Sequence, residues 1–143
     1  MTAQENERWA TTDKGQHLNK ILLIGAGGFV GAIIRYWVGS YIQTLSKGAA
    51  FPYATLLINV TGCLVIGYLA RLTLHNVLSL EMRLLLITGF LGAYTTFSTF
   101  GNETVLLMQS NNSLLAYMYI AASIILGLGA VWLGQTLAGG VGT

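Results

Sequence analysis

Four stretches, at about 21–45, 53–74, 82–108 and 114–137, run almost without charge, and that pattern limits the chain to a narrow set of folds. At a rise of ~1.5 Å per residue each is long enough to cross a hydrocarbon layer ~30 Å thick. Backbone polar groups in lipid must pair within a helix or a closed barrel. Runs that stay apolar over ~20 residues select helices, because barrel strands alternate over ~10. Charged residues make up 8% of the 143, against roughly a quarter in a soluble domain. Such a chain lacks the polar surface to cover itself in water. The expected fold is therefore an all-α membrane protein, four transmembrane helices forming one domain over 20–138. Residues 1–19 are polar and of mixed charge, lack the pattern of a secretory signal, and read as a flexible tail. Residues 139–143 read as a short C-terminal tail.

Small residues fall at helical spacing in the first and fourth spans. Gly27, Gly31 and Arg35 share one stripe, flanked by Gly28 and Ala32, and Ser123, Gly127, Ala130 and Gly134 form another. In lipid, small residues let helices approach closely, so the stripes predict helix packing. The lone cysteine, Cys63, lies within a span and reads as a small buried residue. The seven basic residues are scattered, with no block of the kind that binds nucleic acid.

Polar groups inside a span need a partner or a water-filled path. Arg35 stands two-thirds along the first span, where it either snorkels to the interface or faces a vestibule. The amide of Asn59, in the first two turns of the second span, suits an interhelical hydrogen bond or an ion. Glu103 lies near the end of the third span, where an interface location is an alternative to a functional one. The third span holds the strongest signal. Thr95, Thr96, Ser98 and Thr99 crowd together beside Gly92 and Gly101, and Gly and Thr hold a regular helix poorly. A helix broken at membrane depth frees backbone groups, tolerated only where protein or ions satisfy them. Freed carbonyls suit cations, while freed N–H groups and hydroxyls suit anions, so these residues alone leave the sign of the ion open. Phe97 and Phe100, three apart, project on one side of a resumed helix. They fit a lipid-facing or core position, or a pore whose positive ring edges face a small anion.

These residues resemble the Fluc family of fluoride channels, also called CrcB. Gly27-Gly28-Phe29-Val30-Gly31-Ala32-Ile33-Ile34-Arg35-Tyr36 is similar to its first-helix glycine–arginine motif, and Thr55-Leu56-Leu57-Ile58-Asn59-Val60-Thr61-Gly62 to its second-helix motif. Thr88-Gly89-Phe90-Leu91-Gly92-Ala93-Tyr94-Thr95-Thr96-Phe97-Ser98-Thr99-Phe100, followed by Glu103, is similar to its third-helix signature. Ala54, Gly101-Asn102 and the bulky Tyr94 depart from the usual pattern. The resemblance implies an antiparallel dual-topology dimer with fluoride pores at the interface. It also implies a structural sodium ion, not transported, held by the backbone carbonyls of Gly92 and Thr95. Phe97 and Phe100 are implied to line the pore, Asn59 to stand at its end and Arg35 in a vestibule. Ser98 and Thr99 are assigned to the anion path or its support, with Glu103 and Tyr119 as weaker candidates.

The implied activity is passive export of fluoride across the cell (inner or plasma) membrane by a multi-pass channel, lowering fluoride toxicity. No nucleotide-binding motif or catalytic constellation is present, which points away from an enzyme. A proton-coupled transporter using Glu103 and a non-conducting membrane subunit are the alternatives. Arg8, Lys14, Lys20, Arg71 and Arg83 fall on one side and Lys47 on the other, and Arg35 within a span completes the seven. Basic residues favour the cytoplasmic side, so the second subunit is either a copy of this chain or an oppositely oriented paralogue.

Overall fold

The computed structural model describes the backbone of residues 3–140 and the side chains of residues 15–140. Segments long and apolar enough to cross a membrane cover Gly15–Leu45, Tyr53–Leu74, Leu80–Gln109 and Ser113–Gly140, in agreement with the four expected spans. The first belongs to α1 (Ala3–Leu45), the second is α2 (Tyr53–Leu74), and the last is α6 (Ser113–Leu137) closed by a 3-10 turn at Ala138–Gly140. Helical backbone starts well ahead of the expected first span, so residues 3–19, part of the stretch read as a flexible tail, belong to α1. Their Ala, Glu, Gln, Lys and Arg are good helix formers, and no proline interrupts them. Met1, Thr2 and residues 141–143 of the two expected tails lie outside the described residues.

The third span is not one helix. It begins as α3 (Leu80–Arg83), capped by the Ser79 side chain, which accepts from the Met82 N–H at 3.3 Å. It widens into a π-helix, π1 (Leu84–Leu91), and returns to α geometry in α4 (Gly92–Tyr94). Thr95 (φ −81°, ψ 156°) and Thr96 (φ −150°, ψ 107°) are extended, and α5 (Phe97–Gln109) resumes after them. The break therefore falls on two β-branched residues, which accept extended backbone readily. Gly92 itself is helical, with φ −60° and ψ −32°. The π turns are a feature the sequence reading lacked.

Helix α1 packs along π1 and α4, while α2 packs along α6. Both seams run through glycines. A methyl group at Gly27 would overlap the Leu85 carbonyl, and one at Gly31 the Phe90 carbonyl. On the other seam a methyl at Gly67 would overlap the Val131 carbonyl, and one at Gly134 the Leu64 carbonyl. The small-residue stripes thus set backbone-to-backbone contact, as close packing in lipid requires. Two apolar clusters flank α2: Ile58, Leu91 and Tyr94 towards α1, and Leu56, Leu107, Ala116 and Tyr119 towards α5 and α6. Helices α2 and α5 end on Asn76 (φ 57°) and Asn111 (φ 58°). In each case the next N–H reaches back to Leu72 or Leu107 at 3.0 Å, a Schellman closure of the helix.

Candidate functional site

One turn of α2 holds the break from the side. The Thr96 N–H, which in an unbroken helix would donate to the Gly92 carbonyl, donates instead to Asn59 Oδ1 at 2.9 Å. Asn59 Nδ2 donates to the Thr96 carbonyl at 3.2 Å. Gly62 lies against Thr95 so closely that a methyl group there would overlap the Thr95 Cγ2. The last bonds of the upstream half come from Thr95, whose N–H and Oγ1 both donate to the Leu91 carbonyl at 3.0 Å. The carbonyls of Gly92, Ala93, Tyr94 and Thr95 accept no hydrogen bond from beyond the break among the described residues.

The downstream half starts with its own cap. Thr96 Oγ1 accepts from the Thr99 N–H at 3.3 Å and lies 2.8 Å from Thr99 Oγ1 and 3.4 Å from Ser98 Oγ. A helix end that exposes carbonyls carries partial negative charge, and a helix start partial positive charge. The break therefore sets a cation-favouring end beside an anion-favouring one inside the span. Among the described residues no group of three or more His, Cys, Asp or Glu stands together as a metal site. A cation here would be held by neutral carbonyl oxygens.

A cavity of about 390 Å³ opens at the break and brings together Asn59, Gly92, Thr95, Thr96, Phe97, Phe100 and Ser123. None of the residues around it carries a formal charge. The Ser123 hydroxyl is buried and has no hydrogen-bond partner among the described residues. The rings of Phe97 and Phe100 lie 5.6 Å apart at 42°. Phe97 is 84% exposed, whereas Phe100 packs on the Tyr119 ring at 5.1 Å.

The remaining candidates stand outside this cavity. Ser98 and Thr99 are exposed on the first turn of α5. Tyr119 is fully buried, and its hydroxyl donates to Glu103 Oε2 at 2.8 Å. The Thr55 hydroxyl donates to Glu103 Oε1 at 2.9 Å. The Glu103 carboxylate is thus turned inward onto α2 and α6 instead of lying free at the membrane interface. It also borders a second cavity of about 640 Å³ under the 46–52 loop, which Lys47 lines. Arg35 is partly buried and makes no hydrogen bond or ion pair among the described residues.

Sequence reasoning missed the cap at Thr96, the grip of Gly62 and the hydroxyl of Ser123. The first had a signal, a hydroxyl residue just before a resumed helix with another at its third position. Ser123 had none, because its small side chain fitted the packing stripe equally well.

Residues 22–135 match the family described as CrcB-like protein, Camphor Resistance (CrcB). The chain belongs to the CrcB family. A relative from Rhizobium meliloti (strain 1021) is 45% identical over 121 residues, covering 84% of this chain and 96% of the relative. One from Oceanobacillus iheyensis is 42% identical over 122 residues (85% and 92%). One from Acidobacterium capsulatum is 47% identical over 119 residues (82% and 94%). Each of the three is named a fluoride-specific ion channel, FluC. The CrcB match takes in the break and reaches into all four spans. Apolar helices and channel relatives together make this CrcB chain a multi-pass membrane protein.

Proposed function

We propose that the chain is a subunit of a fluoride-specific channel through which fluoride leaves the cell passively. The observation that carries this reading is the uncharged cavity at the break, where an amide, hydroxyls and two phenylalanine rings converge. Fluoride is small and strongly hydrated, so a conducting site must replace its water with donors that bind without trapping. Asn59 retains one N–H beyond its bond to Thr96, Ser123 holds a hydroxyl unused among the described residues, and the ring edges of Phe97 and Phe100 carry partial positive charge. A fixed cation in the wall would hold the anion more tightly and admit chloride as well. The names of the relatives support the choice of fluoride.

Phe97 is exposed at the depth of the break, and the free carbonyls of Gly92 and Thr95 offer fewer oxygens than a bare cation needs. Both features fit a second subunit, antiparallel in the reading proposed here, that covers the ring and completes the coordination. The carbonyls suit a structural sodium ion, which would fix the break and neutralise its negative end. Arg35, without a partner among the described residues, would face a vestibule and draw anions towards the pore. The cell membrane is the proposed location. Efflux from proteoliposomes with a pH gradient imposed or collapsed tests passive conduction: unchanged fluoride flux is expected, and flux that follows the gradient would support proton coupling instead.

A further inference from the structure

Asn59 is not the only contact that α2 makes with the break. Three consecutive residues, Tyr94, Thr95 and Thr96, are each met by one turn of α2, at Thr61, Gly62 and Asn59 respectively. The first of these contacts joins two side-chain hydroxyls, Thr61 Oγ1 and Tyr94 Oη, at 2.9 Å. Thr61 has a single proton, and it donates that proton to the Leu57 and Ile58 carbonyls at 2.8 and 3.0 Å. The Tyr94 O–H is therefore the donor in the pair. Its acceptor is anchored on the α2 backbone.

Tyr94 lies in the chain between the two residues whose carbonyls face the cation end of the break. Helix α4 is a single turn, Gly92–Tyr94, and no hydrogen bond from beyond the break holds its carbonyls. Rotation of that turn would swing the Gly92 and Thr95 oxygens, opposed on the upstream side by the Thr95 bonds to Leu91 and downstream by the Asn59 bonds to Thr96. The Tyr94 ring is stacked on Phe90, 5.8 Å between centroids and 7° between planes, and it is buried against Ile58 and Leu91. With the hydroxyl fixed at its far end, the side chain acts as a strut from α4 to α2.

We infer that the Tyr94–Thr61 hydroxyl pair is a positioning device that aims the Gly92 and Thr95 carbonyls, and so sets how strongly this chain takes up a monovalent cation at the break. The inference rests on the cation reading given under the proposed function. The strut acts through backbone oxygens and touches no ion itself. Removal of either hydroxyl leaves the ring packing intact and loosens the turn, while Asn59 still holds Thr96.

The test uses the full chain, purified in detergent, with the melting temperature followed by tryptophan fluorescence against sodium at constant ionic strength in choline chloride. Sodium is expected to stabilise the wild-type protein. Tyr94→Phe and Thr61→Val should each raise the half-maximal sodium concentration by about three- to tenfold, the range of one lost hydrogen bond. The double variant should match the singles, and Thr61→Ser should titrate like wild type. Melting in the absence of sodium reports folding separately, and Thr61→Val carries the test alone should Tyr94→Phe not fold. Both singles titrating at the wild-type midpoint, or adding in the double variant, would overturn the strut and leave the cation site standing. A wild-type protein indifferent to sodium would overturn both.

Discussion

Replacement of Asn59 by Leu removes both hydrogen bonds that Asn59 makes with the break, at 2.9 and 3.2 Å, while keeping the branched side-chain shape. The two losses are unequal. The Thr96 carbonyl, as the cap of α5, already accepts the first bond of that helix, so loss of the longer contact costs at most ~1 kcal/mol. The Thr96 N–H has no other acceptor among the described residues. Left unpaired within the span it costs about 1–3 kcal/mol. The total, ~1–4 kcal/mol, corresponds to a roughly fivefold to several-hundred-fold drop in the folding equilibrium at ~1.4 kcal/mol per tenfold. Asn59→Asp should fall between, since a carboxylate accepts from the N–H but opposes the Thr96 carbonyl. Unfolding in mixed detergent micelles of increasing SDS fraction, followed by tryptophan fluorescence, measures the difference. An Asn59→Leu protein within ~0.5 kcal/mol of wild type would refute the reasoning that Asn59 holds the break together.

Other perturbations probe the cavity wall, the seams and the topology. Phe97→Ile and Phe100→Ile should each abolish fluoride flux while the protein still purifies with an unchanged size-exclusion profile; normal flux in both would remove the rings from the path. Gly67→Ala places a methyl against the Val131 carbonyl, backbone that has little freedom to give, and should destabilise the protein by about 1–3 kcal/mol in the same SDS titration. A reporter fused to the C-terminus should signal from the cytoplasmic side alone if the basic residues dictate orientation. Equal signal from both sides would contradict a fixed orientation and favour a homodimer of opposed copies.

The helices were legible in the sequence because hydropathy is a local property. The α2 boundaries at Tyr53 and Leu74 coincide with the expected 53–74 span, since Pro52 and the polar residues after Leu74 mark its ends. The break was legible as a cluster of Thr and Ser near glycine, but its position was not. It is fixed by Asn59, 37 residues away, and no window around Thr96 contains that information. Likewise π1 reads as an ordinary apolar run, Leu84–Leu91. The close approach of Gly27 and Gly31 to its carbonyls is a tertiary fact. Glu103 offered a charge near a helix end, and only the folded chain shows its carboxylate taken by Thr55 and Tyr119.

The central claim is selective conduction, and its most direct measurement is ion efflux from proteoliposomes reconstituted with this chain alone, or with its oppositely oriented paralogue should one be needed for assembly. The account predicts rapid fluoride release under a potassium–valinomycin counterflux and no chloride release above that of empty vesicles. Equal release of both anions, or fluoride release no faster than from empty vesicles, would contradict it.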